Sequence, residues 1–113
     1  MYYILIGREA VPANLMTWAR WFEAIGDARI IEQEYVGTTK ISTVFLGLDH
    51  SWNGNPPLIF ETLVFGGPLD DKMDRCTTYD QAEAMHATMV AQVEVAQGQT
   101  DSAVLGLSYK GKK

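Results

Sequence analysis

The sequence has little cysteine and no long apolar run. Cys76 is the single cysteine among 113 residues, so the chain cannot form an internal disulfide framework or a multi-cysteine zinc site, and it suits a reducing compartment. No apolar run approaches the roughly 20 residues that a membrane-spanning helix needs, so we expect no membrane partner. The first residues, MYYILIGREAVP, lack basic residues ahead of their apolar run, which predicts no secretory signal and a cytoplasmic location.

Basic residues are scarce in most of the chain. The formal net charge is −5, and three of the nine basic residues, Lys110, Lys112 and Lys113, occupy the last four positions. Residues 1–109 therefore carry six basic against fourteen acidic groups, a balance of −8. A surface of that sign repels phosphate backbones, so we do not expect nucleic acid as the main partner. The length predicts one domain over residues 1–109, followed by a solvated basic tail at 110–113.

Recognised catalytic and metal-binding motifs are also missing. The sequence contains no HExxH, CxxC or Gly-x-Ser-x-Gly spacing. The acidic loop Asp70–Asp74 lacks the glycine and the terminal glutamate of an EF-hand. We therefore predict neither a cofactor nor a metal.

What the sequence does contain is a hairpin pattern over residues 41–67. Two runs of β-branched, aromatic and aliphatic residues, Ile41–Leu48 and Leu58–Phe65, flank the segment Ser51–Pro57, which is rich in Ser, Asn, Gly and Pro. This order is typical of two antiparallel strands joined by a tight connection. Both runs are apolar on both faces, which predicts central strands, or strands whose second face is covered by a partner such as a second copy in a homodimer.

Two stretches have helical spacing. Apolar residues recur on one face of Leu15–Ile25, with Asn14 as the predicted N-cap and Gly26 as the stop. A second helix is predicted to begin at the capping box Thr78–Gln81 and to end at Gly98.

The remaining segments complete an α+β fold. Tyr2–Gly7 predicts a first strand, and Arg29–Val36 predicts a half-exposed strand with two glutamates on one face. Residues 70–74 are predicted to be an exposed loop, and residues 102–109 a last short strand or a packed tail. The predicted order is β-α-β-β-β-α, with or without a final strand, which gives an antiparallel sheet of four to five strands packed against two helices.

Chemically capable residues lie in or beside the hairpin. Asp49 and His50 end one strand, and Glu61 lies in the returning strand. With His86 on the second helix they are candidates for a general acid/base or metal-ligand group, provided that the side chains converge. The structural alternative is that Asp49 and His50 only satisfy the amides of the turn.

Glu61 and Trp52 each have a structural and a functional interpretation. An unpaired carboxylate is costly to bury among the apolar neighbours of Glu61, so this residue reaches solvent, pairs with Arg75 or Lys40, or awaits the donors of a ligand. Trp52, in a polar connection, either anchors a partner or folds back onto the sheet. The candidate ligand- or partner-binding residues are Asp49, His50, Trp52, Glu61, Arg75 and His86.

Three blocks of the hairpin, Ser42–His50, Pro56–Thr62 and Val64–Gly67, resemble a family of small proteins from bacteriophages, prophages and their bacterial hosts. In that family an acidic loop, an Arg-Tyr element and a helix with an Ala-Glu-Ala and His pattern follow. The counterparts here are Arg75, Tyr79, Ala82, Glu83, Ala84 and His86. The resemblance covers residues 30–90 and implies no catalytic role, because no biochemical activity is established for the family. It implies a small accessory protein of phage or mobile-element origin.

Three functions follow as hypotheses. The first is a non-enzymatic binding protein that inhibits a host defence component or sequesters a small signalling ligand in the host cytoplasm, with a host protein or a small molecule as its partner. The second is a small metal- or acid/base-dependent hydrolase that uses Asp49, His50, Glu61 and His86. The third is a structural or assembly protein of the mobile element.

Overall fold

The computed structural model describes residues 1–49 and 55–110, with side chains described as far as residue 99. These residues form six strands and two α-helices, which confirms the predicted α+β fold class. The elements are β1 Tyr2–Ile6, β2 Glu9–Ala13, α1 Leu15–Ile25, a 3₁₀ turn Gly26–Arg29, β3 Ile30–Val36, β4 Thr39–Phe45, β5 Phe60–Phe65, β6 Met73–Cys76 and α2 Tyr79–Lys110.

Strands β1 and β2 form a separate two-stranded antiparallel sheet. A two-residue turn joins Ile6 to Glu9, and Gly7 has a φ of +64° there, a conformation that glycine adopts without a Cβ penalty. Strand β2 was not predicted, because Pro12 interrupts the apolar pattern that would indicate a strand. Proline is tolerated on a strand that has a free edge, as both strands of a two-stranded sheet do.

Helix α1 begins and ends where the sequence predicts. The Oδ1 atom of Asn14 accepts a hydrogen bond from the Thr17 N–H at 2.8 Å, and Gly26 ends the helix with a φ of +54°. The Trp21 ring packs edge-on against Phe45, with 5.5 Å between ring centroids. Aromatic contacts thus attach α1 to the main sheet.

The main sheet has the order β3-β4-β5-β6, all antiparallel. The predicted pairing of the two central strands is confirmed, with Val44 opposite Glu61 and Phe45 opposite Phe60. The predicted exposed loop over residues 70–74 is wrong at its end, because Met73–Cys76 forms the edge strand β6. Four residues that include two charged side chains are too few to show a strand period, so only the pairing with β5 reveals this strand.

Helix α2 starts at the predicted capping box but is longer than predicted. The Thr78 Oγ1 atom accepts from the Gln81 N–H at 3.1 Å, and the Gln81 side chain accepts from the Thr78 N–H at 3.1 Å. The helix passes Gly98 and continues to Lys110, so the predicted strand or packed tail over 102–109 is helical instead. A helical glycine costs only about 1 kcal/mol relative to alanine, which does not by itself end a helix. None of the helices in the described ranges has the length and apolar character needed to cross a bilayer.

The two apolar clusters of the described residues lie on one side of the main sheet, which we call the inner face. Helix α2 covers this face, and the two clusters fill the space between them. The clusters consist of Ile41, Val64, Met89 and Val93, and of Phe45, Ile59, Phe60 and Ala82. Alternate residues of β4 and β5 face α2: apart from Ile59, which precedes β5, the sheet residues named in these clusters lie on the same side as Ile41 and Phe60.

Candidate functional site

A buried polar chain separates the two apolar clusters. The His86 imidazole, on α2, is 1% exposed, and its Nδ1 atom lies 2.6 Å from the Thr43 hydroxyl on β4. That hydroxyl lies 2.5 Å from the Thr62 hydroxyl on β5. Thr43 and Thr62 are opposite each other in the β4–β5 pairing and are fully buried. Each of these buried polar atoms therefore has a partner, as burial requires.

The other ring nitrogen of His86 faces two carboxylates on the edge strand β3. Its Nε2 atom lies 2.8 Å from Glu34 Oε1 and 3.9 Å from Glu32 Oε2. Glu32 and Glu34 are two residues apart on one strand, so their side chains emerge on the same face. Both carboxylate side chains are about half exposed. The chain of polar contacts thus runs from solvent at the sheet edge to the buried Thr62.

Glu61 lies on the opposite side of the sheet, which we call the open face. Its Oε2 atom accepts from Arg75 Nε at 3.0 Å and lies 2.9 Å from Arg75 Nη2. The two residues are opposite each other in the β5–β6 pairing. Of the interpretations left open for Glu61, the structure has the ion pair with Arg75. Its carboxylate charge is thereby compensated.

The predicted candidate residues do not form one group. Glu61 and Arg75 contact each other, whereas His86 lies on the far side of the sheet, because Thr62 and Glu61 are consecutive and point to opposite faces. The Asp49 N–H donates to the Met1 carbonyl oxygen at 3.0 Å, which ties this residue to the start of β1. His50 and Trp52 lie outside the described residues.

The partners of His86 were not predicted from the sequence. The pattern of Arg29–Val36 indicates two glutamates on one face of a half-exposed strand, but nothing in it relates Glu32 and Glu34 to His86, which lies about 50 residues away. Thr43 and Thr62 carried a second signal, because each is a polar residue at an inward position of an otherwise apolar strand. Together these two signals would have pointed to a polar contact on the inner face.

The open face carries several exposed apolar side chains. Tyr35, Lys40 and Phe65 lie side by side on β3, β4 and β5, and the Lys40 ammonium lies 4.5 Å from the centre of the Phe65 ring. Tyr35 is 63% exposed and Met73, at the β6 edge, is 48% exposed. This face therefore presents aromatic and aliphatic area beside the Glu61–Arg75 pair.

A cavity of about 510 Å³ lies between the β1–β2 hairpin and the start of α2. We call it the hairpin cavity. The Arg8 guanidinium stacks over the Tyr79 ring with 4.1 Å to the ring centre, and it is bound to Asp80 at 2.5 Å and to Glu83 at 2.7 Å. These hydrogen bonds hold the pKa of Glu83 below its usual value and raise that of Arg8. Residues that line this cavity include Tyr3, Arg8, Thr77, Thr78 and Tyr79.

Comparisons with protein-family models, with curated proteins and with solved structures find no match to this chain.

Proposed function

We propose that this chain is a small non-enzymatic accessory protein, encoded by a phage or prophage, that sequesters a small molecule in the hairpin cavity. The observation that carries the proposal is the cavity itself. Its volume of about 510 Å³ falls within the roughly 300–1,000 Å³ of typical small-molecule sites. Apolar walls with a few polar groups are also typical of such sites.

The lining of the hairpin cavity favours a ligand with a flat ring. Tyr3 supplies aromatic surface, Tyr79 supplies the part of its ring that the stacked Arg8 guanidinium leaves uncovered, and Thr77 and Thr78 supply hydroxyl and backbone groups. Arg8 offers no uncompensated charge, because Asp80 and Glu83 already hold its guanidinium. We therefore expect recognition through ring stacking and neutral hydrogen bonds, so a nucleoside should bind nearly as well as its phosphate ester.

The separation of Glu61 from His86 supports binding over hydrolysis. The hydrolase hypothesis needs these two side chains within reach of one substrate. They lie on opposite faces of the sheet, and each is engaged by a neighbour there. Sequestration in the host cytoplasm would withdraw a signalling molecule from its host receptor, which suits a small accessory protein of phage or mobile-element origin.

A ligand panel tests this proposal. Purified protein is screened by thermal shift against nucleosides, linear and cyclic nucleotides and dinucleotides, and each hit is measured by calorimetry. Base–aromatic stacking contributes about 1–3 kcal/mol, so Tyr79→Leu should weaken a hit by about 5- to 150-fold. The matched control is Tyr35→Leu on the open face, which should leave the affinity unchanged. A panel without any hit, or equal losses in the two variants, contradicts the proposal.

The open face supports a second role, the formation of a homodimer. Tyr35, Phe65 and Met73 are exposed there, while Lys40, Glu61 and Arg75 give the face a net charge of +1 (two cations, one anion) in a chain of −5. We propose that a second copy covers this face, because like-charge repulsion between two acidic chains is weakest where the local charge is not negative.

Sedimentation equilibrium tests the homodimer. We expect a dimer in the wild-type protein and a monomer in Phe65→Glu, because this substitution replaces aromatic area by a carboxylate in the contact. Val95→Glu, at an exposed position of α2, is the control and should stay dimeric. This role is overturned if the wild-type protein is still monomeric at 100-fold or more above the concentration used in the ligand panel. It is also overturned if a host protein, and not a second copy of the chain, binds through Phe65.

A further inference from the structure

The geometry points to a divalent transition-metal site formed by Glu32, Glu34 and His86, with a borderline ion such as Zn²⁺ as its occupant. The site lies at the free edge of the main sheet, on the inner face. It shares no residue with the hairpin cavity or the open face, so it stands independently of the proposed function.

The three donor atoms are already close to coordination distance of one another. One nitrogen and two carboxylate oxygens lie within 4.8 Å of each other, with Nε2 at 2.8 Å from Glu34 Oε1 and at 3.9 Å from Glu32 Oε2. Zinc binds such atoms at about 2.0–2.2 Å, which places neighbouring donors about 3.0–3.5 Å apart. The carboxylates therefore need to move by less than about 1 Å, which their exposed side chains allow.

The donor set selects a class of metal. Imidazole nitrogen suits Zn²⁺, Fe²⁺, Ni²⁺ and Cu²⁺, whereas Mg²⁺ and Ca²⁺ prefer oxygen alone. One imidazole and two carboxylates are three protein ligands, which leaves a coordination position for water or another small ligand. We therefore expect Zn²⁺ to bind and Ca²⁺ to bind far more weakly.

The hydroxyl of Thr43 provides the support that a metal-bound histidine requires. Metal-binding histidines commonly donate the N–H of the other ring nitrogen to an oxygen, which fixes the tautomer and the orientation of the ring. Nδ1 of His86 lies 2.6 Å from Thr43 Oγ1, which in turn reaches Thr62 Oγ1 at 2.5 Å. With Nδ1–H donating to Thr43, the lone pair of Nε2 points at the two carboxylates.

Two tautomers of the neutral imidazole fit these distances, and a metal selects between them. Without a metal, Nε2–H donates to Glu34 and Nδ1 accepts from the Thr43 hydroxyl. With a metal on Nε2, the proton is on Nδ1 and the Thr43 hydroxyl turns toward Thr62. The tautomer of His86 is thus a direct report on the proposed site.

The carboxylates leave negative charge that a cation would balance. Among the described side chains, Glu32 and Glu34 form no ion pair with a lysine or arginine, and the ionisable side chain that they contact is His86. Both side chains are about half exposed, so an ion can enter from solvent. Since β3 is an edge strand of the sheet that the described residues form, with β4 as its neighbour, a bound ion would add a link between this strand and α2.

Calorimetry on the whole chain, first treated with EDTA and then dialysed, tests the proposal with ZnCl₂ and CaCl₂ as the probes. We expect one equivalent of Zn²⁺ to bind. Glu32→Gln and Glu34→Gln, both at exposed positions, should each weaken this binding by at least tenfold, because even supporting residues of metal sites cost about 10–100-fold when lost. Glu94→Gln, which removes the same charge from an exposed position of α2, should leave the affinity unchanged.

Long-range ¹H–¹⁵N NMR of the histidine rings gives an independent result. The chain has two histidines, so His50→Gln isolates the signals of His86 and should retain the zinc site. Zinc should move the ring proton of His86 from Nε2 to Nδ1. The proposal is overturned if Zn²⁺ does not bind, if Glu94→Gln weakens binding as much as Glu34→Gln, if His50→Gln abolishes it, or if Nε2 keeps its proton at saturating Zn²⁺.

Discussion

Nδ1 of His86 lies 2.6 Å from the Thr43 hydroxyl, and both residues are buried between the helix and the sheet. This contact fixes where α2 lies along the inner face. Apolar contacts alone tolerate a shift of the helix, whereas a displaced imidazole would leave polar atoms buried without partners at a cost of about 1–3 kcal/mol each. The polar chain therefore adds specificity to a sheet–helix interface that is otherwise apolar.

Thr43 should contribute more to stability than Thr62. Thr43→Val leaves both the His86 Nδ1 atom and the Thr62 hydroxyl without their recorded partner, whereas Thr62→Val removes one contact of Thr43. We expect Thr43→Val to lower the free energy of unfolding by about 1–3 kcal/mol and Thr62→Val by less. Urea denaturation measures both. Thr88→Val, on the exposed side of α2, should change stability by less than about 0.5 kcal/mol. Equal losses for Thr43→Val and Thr62→Val would contradict the central position of Thr43.

Gly47 should not tolerate a side chain. Its φ is +70°, and a Cβ there would lie 2.8 Å from the Tyr3 carbonyl oxygen and 2.7 Å from Trp18 Nε1. Gly47→Ala should therefore destabilise the protein by about 1–3 kcal/mol. Gly98→Ala is the matched control, since a Cβ at this helical position has no atom within 4 Å, and it should stabilise by about 0.5–1 kcal/mol. Thermal denaturation of both variants checks the sign; a neutral Gly47→Ala would show that the local backbone relaxes.

Local signals in the sequence account for much of this fold. Asn14 and the Thr78–Gln81 capping box located helix starts, because each bonds to amides only three residues away. The two apolar runs on either side of a polar connection located β4 and β5 and their antiparallel pairing, because strands that follow each other across a short connection pair with each other. These features depend on neighbours in sequence, so one sequence is sufficient to predict them.

Features that depend on distant residues could not be predicted. Strand β6 can be identified only from its pairing with β5. The end of α2 beyond Gly98 could not be predicted, because a short apolar run such as that of residues 102–109 fits a helix or a strand equally well. The contact of His86 with Glu34 on β3 arises from tertiary packing, so the spacing of residues along the chain does not predict it.

The thiol of Cys76 should ionise late. Burial, and then the nearby charge of Asp74, raise the pKa of this thiol from 9.0 to about 11. The absorbance at 240 nm of the wild-type protein minus that of Cys76→Ala, a difference in which the signal of the five tyrosines cancels, should rise with a midpoint near pH 11, and Asp74→Asn should lower this midpoint. Because the folded chain keeps a proton that the unfolded chain releases, stability should fall as the pH rises from about 9 to about 11. Cys76→Ala should remove this part of the pH dependence. A midpoint near 9 would show that the thiol is solvated.

The ion pair between Arg8 and Glu83 should stabilise the chain only above acidic pH. Hydrogen bonds from Arg8, at 2.7 and 3.2 Å, lower the pKa of the Glu83 carboxyl from 4.5. A carboxyl whose pKa is lower in the folded state contributes stability above its unfolded value and loses it as the pH falls through the folded value. The wild-type protein should therefore be more stable than Glu83→Gln at pH 7, and the difference should be smaller at pH 3, which lies below the unfolded value of 4.5, and in 1 M NaCl, since both groups are exposed. Urea denaturation at the two pH values measures it, with Glu94→Gln as a control that should show no such pH dependence. A difference that persists unchanged at pH 3 would mean that Glu83 acts through packing and that the charge is incidental.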